Sequence, residues 1–146
     1  MALEADCALG CKRRWVSIAQ AVLKRNVIAE DEFCNAVKTL ISRGRGKYRN
    51  LLLVGPADCG KTFLLNPLNK MFHTFCNPAT GSFAWVGADQ VIFLNDFSWS
   101  EKIIPWHDFL LLLEGQPIHL PAPKSHYRQD IEFTRDSPVF CTRKMK

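Results

Sequence analysis

The sequence predicts a three-layer α/β fold with a mostly parallel sheet, preceded by a small helical pair. Short apolar runs typical of buried strands alternate with stretches of helical periodicity. The apolar run at 51–54 leads directly into a loop that contains glycine and precedes a predicted helix. A length of 146 residues with 47% apolar content allows one compact core.

The helical pair is predicted over residues 15–23 and 33–41, where apolar residues recur at i, i+3, i+4 and i+7. An acidic start and the following Gly44 bound the second helix. The predicted units are an N-terminal helical segment over 1–50 and a second unit over 51–146.

The residues that follow the first strand match the pattern of a phosphate-binding loop, Gly-Pro-Ala-Asp-Cys-Gly-Lys-Thr. In such a loop the backbone N–H groups point at phosphates. Lys61 can reach the β- and γ-phosphates, and the Thr62 hydroxyl can ligate Mg²⁺. The pattern therefore predicts binding of ATP or a related nucleotide with Mg²⁺. The predicted nucleotide-binding residues are Gly55, Pro56, Ala57, Asp58, Cys59, Gly60, Lys61 and Thr62.

Three elements are predicted after the loop. A helix over 63–72 contains Pro67, which should kink it because proline removes a backbone hydrogen bond. The β-prone run at 83–86 predicts a second strand, and the apolar run at 91–94 predicts a third.

Asp96 comes directly after the third predicted strand. An acid at the carboxyl end of a strand beside a phosphate loop can hold Mg²⁺ and orient an attacking water. An aspartate that caps a turn is the other interpretation. The sequence thus predicts Lys61 and Asp96 as catalytic residues, and Thr62 and Asp96 as Mg²⁺ ligands.

The last part of the chain predicts a helix and a long hairpin. The elements are a helix over 106–113 that ends at Gly115, strands at 118–120 and 131–133, and a final strand at 139–141. The hairpin tip, 121–129, carries Lys, His, Tyr and Arg, which suit contacts to phosphates and stacking on bases. An ordinary exposed hairpin is the other interpretation.

Composition narrows the class of protein. The net charge of +5 gives a moderate attraction for polyanions. Six cysteines without paired spacing indicate reduced thiols rather than a zinc site or a disulfide framework. No apolar stretch approaches the roughly 20 residues of a membrane span, and the N-terminus lacks the pattern of a signal peptide. We expect a nuclear or cytoplasmic protein that does not enter the membrane.

The order of these motifs resembles a superfamily 3 helicase domain, the class found in parvovirus non-structural initiator proteins and in Rep proteins of small DNA viruses. Residues 55–62 match its Walker A motif, and 91–97 resemble Walker B with Asp96 as the second acid. Residues 115–124 are similar to motif B-prime, and 138–142 resemble the start of motif C. The resemblance implies an AAA+-like P-loop NTPase fold and an ATP-driven homo-oligomeric ring that translocates on single-stranded DNA.

The resemblance also implies roles for individual residues. Lys124 and His126 of the hairpin would contact the DNA backbone. Asn95 stands where the family has its first acid, which removes one negative charge from the Mg²⁺ site. Lys144 or Arg143 stands where motif C has an asparagine. The arginine finger of the family follows motif C, so the domain is expected to be truncated there.

Two alternatives to a working helicase stay open. One is a nucleotide-binding interaction protein, derived from a viral or transposon helicase, that has lost hydrolysis. The other is a small nucleotide kinase or phosphotransferase, which needs a lid with arginines that Arg128 and Arg135 would supply.

Overall fold

A computed structural model describes residues 13–78, 85, 90–120 and 131–145. The elements in chain order are helices α1 (Arg14–Arg25) and α2 (Glu30–Arg43), strand β1 (Leu51–Gly55), helices α3 (Lys61–Leu65) and α4 (Leu68–Met71), strands β2 (Thr74–Cys76) and β3 (Val91–Leu94), helix α5 (Trp106–Glu114), and strands β4 (Ile118–Leu120), β5 (Ile131–Phe133) and β6 (Val139–Lys144). The chain therefore has an α/β fold. No helix in the described ranges is long and apolar enough to cross a membrane.

The main sheet has the strand order β1-β6-β3-β2, and every neighbouring pair in it is parallel. The strand latest in the chain, β6, thus lies between β1 and β3. The predicted hairpin is confirmed, because β4 and β5 pair in an antiparallel sheet of their own. In a parallel sheet all carboxyl ends lie at one edge, which is where such folds bind ligands.

Apolar residues fill the space on both faces of the main sheet. On one face, Leu40 of α2 and Leu65 of α3 pack with Phe140 of β6. On the other face, Leu112 of α5 and Ile118 of β4 pack with strand residues that include Val139. Successive side chains of a strand point to opposite faces, so β6 contributes to both clusters. Elements on both faces of a parallel sheet are compatible with the predicted three-layer fold.

The predicted helical pair and the helix that ends at Gly115 are confirmed, and Gly115 has the positive φ of 79° that suits a helix end. The helix predicted over 63–72 is instead two short helices, which are separated at Asn66 and Pro67. Proline has no N–H to donate, and the short helix before it ends at Leu65.

The second strand of the sheet is not where the sequence predicts it. Of the predicted strand 83–86, only Trp85 is among the described residues, and it lies in a turn. The observed second strand is Thr74–Cys76, which pairs with β3. Trp85 is nonetheless buried, donates a hydrogen bond to the Ile103 carbonyl at 2.9 Å and stacks on Phe75. Its apolar character therefore indicates a core position rather than a strand. The hairpin tip, 121–129, lies outside the described residues.

Arg45, directly after α2, is fully buried and ties several elements together. Its guanidinium donates hydrogen bonds to the carbonyls of Leu112 and Arg135, each at 2.8 Å, and lies over the Phe133 ring at 5.0 Å. The last carbonyls of a helix have no intrahelical donor, so Arg45 satisfies the end of α5. Burial lowers the pKa of the guanidinium, and the charge of Asp136 opposes that effect.

Replacing Arg45 tests this interaction. Arg45→Met is expected to lower the free energy of unfolding by about 3 kcal/mol, because a buried carbonyl and a partly buried one lose a charged donor. Urea denaturation followed by circular dichroism measures the change. Arg43→Met, at an exposed position in the last turn of α2, is the matched control and should cost less than about 1 kcal/mol. Equal losses in both variants would contradict the role given to Arg45.

Candidate nucleotide-binding site

The loop between β1 and α3 makes a tight turn that rests on α1. Asp58 and Gly60 have positive φ angles of 57° and 91°. A Cβ atom on Gly60 would lie 2.7 Å from Cγ1 of Val22, so only glycine fits against α1 without a shift. The Asn26 side chain also donates a hydrogen bond to the Cys59 carbonyl at 3.3 Å. The first helix therefore supports the loop from outside.

Lys61, the first residue of α3, directs its ammonium back over the loop. The ammonium donates hydrogen bonds to the carbonyls of Gly55 at 3.0 Å and Pro56 at 2.6 Å, and contacts the Cys59 sulfur at 3.5 Å. The positive charge thus lies at the mouth of the loop. Phosphate oxygens can replace these carbonyls as acceptors, because an ammonium on a flexible stem reorients easily.

A network of hydroxyl and amide groups joins the loop to the ends of two strands. The Thr62 hydroxyl donates to the Asn95 side-chain oxygen at 2.8 Å, and the Thr142 hydroxyl donates to the same oxygen at 2.9 Å. The backbone N–H of Asp96 donates to the Thr142 hydroxyl at 2.8 Å. Thr142 is fully buried, so the network fixes the end of β3 against β6 and the loop.

Two residues of this network, Thr62 and Asp96, line a cavity of about 380 Å³. It is lined by the loop residues 57–63 together with Asp96 and Lys144. Lys61, Thr62 and Asp96, the residues predicted as catalytic or as Mg²⁺ ligands, thus line one cavity. Asp96 has a positive φ of 48°. Glycine and short polar residues such as aspartate adopt this conformation more readily than other residues do.

The predicted DNA contacts, Lys124 and His126, lie outside the described residues. Thr142 is a site residue that sequence reasoning did not single out. Its only sequence signal is its place in the run 138–142, which resembles motif C.

The donor set at the cavity fits a magnesium ion that arrives with a nucleotide. The Asp96 carboxylate and the Thr62 hydroxyl are the oxygen ligands predicted for it. Within the described ranges, no group of three or more His, Cys, Asp or Glu residues could hold a metal on its own. Mg²⁺ is commonly bound by one or two carboxylates plus substrate phosphates rather than by an all-protein cage. One carboxylate and one hydroxyl at the cavity are compatible with such a nucleotide-bound ion.

A larger cavity of about 470 Å³ lies at the opposite edge of the sheet. Its lining includes Ile41, Phe72, the first residue of β3, Val91, and the residue before β6, Pro138. Open parallel sheets bind ligands outside the carboxyl ends of their strands, and this cavity is at the amino ends. The smaller cavity at the loop is therefore the candidate site.

No protein-family model matches this chain, and no curated protein matches it. The interpretation of the site therefore depends on its residues and their geometry.

The buried hydroxyl of Thr142 gives a test of the network. Thr142→Val keeps the shape of the side chain and removes the hydroxyl that bonds both Asn95 and the Asp96 N–H. We expect it to lower the free energy of unfolding by about 2 kcal/mol, because buried polar groups lose their partner. Thermal and urea denaturation measure the change, with Thr134→Val at an exposed position as the matched control. A loss no larger than that of the control would contradict the network.

Proposed function

We propose that this chain is a P-loop NTPase domain of the AAA+-like kind that binds ATP with Mg²⁺ at residues 55–62. The observation that carries the proposal is the Lys61 ammonium at the mouth of a loop that directly follows a parallel strand. The Thr62 bond to Asn95 supports it, because this bond places the loop beside the end of β3. Since α3 has only five residues, the loop N–H groups and Lys61 are the main source of attraction for phosphates.

Each residue has a distinct part in this proposal. The loop backbone from Gly55 to Gly60 surrounds the phosphates, and Lys61 holds the β- and γ-phosphates. Thr62 and Asp96 would hold the Mg²⁺ ion, which would supply charge neutralisation at the transferring phosphoryl group. Asp96 also accepts a hydrogen bond from the attacking water and orients it. Its carboxylate is exposed at the cavity, where water has access to it.

The resemblance to superfamily 3 helicases extends the proposal to DNA. Hydrolysis would be coupled to translocation on single-stranded DNA by a homo-oligomeric ring, with Lys124 and His126 of the hairpin against the DNA backbone. The hairpin strands β4 and β5 that carry this tip pair in register from Ile118 to Leu120.

Asn95 favours a second candidate function, a nucleotide-binding interaction protein without hydrolysis. The Asn95 oxygen accepts two hydroxyl hydrogen bonds, as a carboxylate oxygen would, but carries no negative charge. The architecture for phosphate binding is therefore retained, whereas the affinity for Mg²⁺ is lowered. Hydrolysis depends on the ion more strongly than binding does.

Lys61→Ala tests nucleotide binding directly. We expect it to weaken binding of Mg²⁺-ATP by about tenfold to a hundredfold, the value of one charge-assisted contact. Isothermal titration calorimetry on the full chain measures the affinity, with Lys70→Ala on the exposed side of α4 as the matched control. If the two variants bind ATP equally, the loop is not the binding site. Phosphate release with and without single-stranded DNA then separates the helicase motor from the interaction protein.

Asn95→Asp tests the charge of the Mg²⁺ site. The substitution keeps the oxygen that accepts from Thr62 and Thr142, and adds one negative charge. We expect the Mg²⁺ concentration for half-maximal ATP hydrolysis to fall by about tenfold, because a second carboxylate strengthens the ion site. Steady-state phosphate release over a Mg²⁺ series measures this shift. Asn69→Asp makes the same chemical change in α4 and should leave the Mg²⁺ dependence as it is in the parent chain.

A further inference from the structure

A second lysine, Lys144, lines the loop cavity. It is the last residue of β6 and lies directly across from Gly55, the first residue of the loop. The next backbone N–H, that of Met145, donates to the Gly55 carbonyl at 3.0 Å. The backbone that carries Lys144 is thus tied to the same residue whose carbonyl accepts from Lys61.

The direction of the Lys144 side chain follows from the strand geometry. Side chains two residues apart on a strand point to the same face. Thr142 directs its hydroxyl toward Asn95 and the loop, so Lys144 projects on that face as well. Arg143 projects on the opposite face. Of the two cations that the sequence leaves as alternatives at this position, Lys144 is the one at the cavity.

The two lysines of the cavity differ in their partners. The Lys61 ammonium contacts two carbonyl oxygens and a sulfur. The Lys144 ammonium has no hydrogen bond or ion pair within the part of the chain that the structure describes. Among the described residues that line the cavity, Asp58 and Asp96 are the acidic ones, so the two lysines are matched by two carboxylates there. The neighbouring Asn95, which accepts a hydrogen bond from Thr62 of the loop, adds no negative charge beside this set.

We propose that Lys144 is a second phosphate ligand, and that it makes triphosphate binding largely independent of divalent metal. This inference rests on the proposed nucleotide binding at the loop. A nucleoside triphosphate carries close to four negative charges, which Mg²⁺ ordinarily screens in part. Here the exposed Lys144 ammonium at the cavity meets the terminal phosphate, and the neutral Asn95, which bonds Thr62 of the loop, adds no repulsion. The diphosphate lacks the terminal phosphate, so Lys144 favours the triphosphate.

The test compares ATP and ADP affinities in Mg²⁺ and in EDTA by calorimetry on the full chain. For the parent chain we expect ATP affinities in the two buffers that agree within about fivefold. Lys144→Met should weaken ATP in EDTA by about tenfold, the value of one exposed charge-assisted contact, and weaken ADP by much less. Lys144→Arg should retain the affinity because it keeps the charge. Arg143→Met, on the other face of β6, is the matched control and should change neither nucleotide.

The outcomes separate this inference from the proposed function. If the parent chain binds ATP and Lys61→Ala weakens binding, but Lys144→Met behaves as Arg143→Met does, the role of Lys144 is wrong and nucleotide binding stands. A parent chain that binds ATP only in Mg²⁺ also overturns the inference. If the parent chain binds no ATP in either buffer, both proposals fail. Circular dichroism of each variant confirms that a lost affinity does not reflect a lost fold.

Discussion

The parallel pairing of β6 with both β1 and β3 is the constraint on which the candidate site depends. It aligns Gly55 with Lys144 and Leu94 with Cys141, so the ends of three strands meet at one edge. The polar groups that follow or end these strands then come within hydrogen-bond distance of one another. A slip of one residue would turn Thr142 to the opposite face of the sheet and remove its hydroxyl from Asn95.

The register of β6 is held by burial on both faces of the sheet. Val139 and Phe140 are neighbours in the chain, are both fully buried, and belong to different apolar clusters. A slip of one residue would place each of these side chains in the apolar cluster of the other. Close-packed cores do not tolerate such an exchange of side chains of different shape well. Arg45 holds α5 and the hairpin over one of those faces. The buried Arg45 thus supports the register of β6, and with it the geometry of the site at the carboxyl ends of the strands.

Local patterns predict much of this fold, and long-range pairing accounts for the rest. The helical pair, β1, β3 and α5 follow from periodicity and from residues such as Gly115, because those signals act within a few positions. Strand β2 has only three residues and depends on its pairing with β3. Its own sequence therefore carries little signal of a strand. Thr142 bonds Asn95 across 47 positions of the chain. Its part in the site follows only from the strand order, whereas the loop at 55–62 is recognisable from its pattern alone.

The charge of the site separates two properties that phosphate-loop proteins usually combine, namely holding phosphates and using a metal ion to transfer them. Asn95 accepts from Thr62 and Thr142 through one oxygen, so an amide serves the geometry as well as a carboxylate would. It does not serve the electrostatics of Mg²⁺ equally well, because the ion gains less from a dipole than from a charge. Lys61 and Lys144 line the cavity together with Asp58 and Asp96, so the charges that would attract phosphate and those that would attract a divalent cation are equal in number there. The two candidate functions therefore differ in the charge at the ends of β3 and β6, and the fold serves either of them.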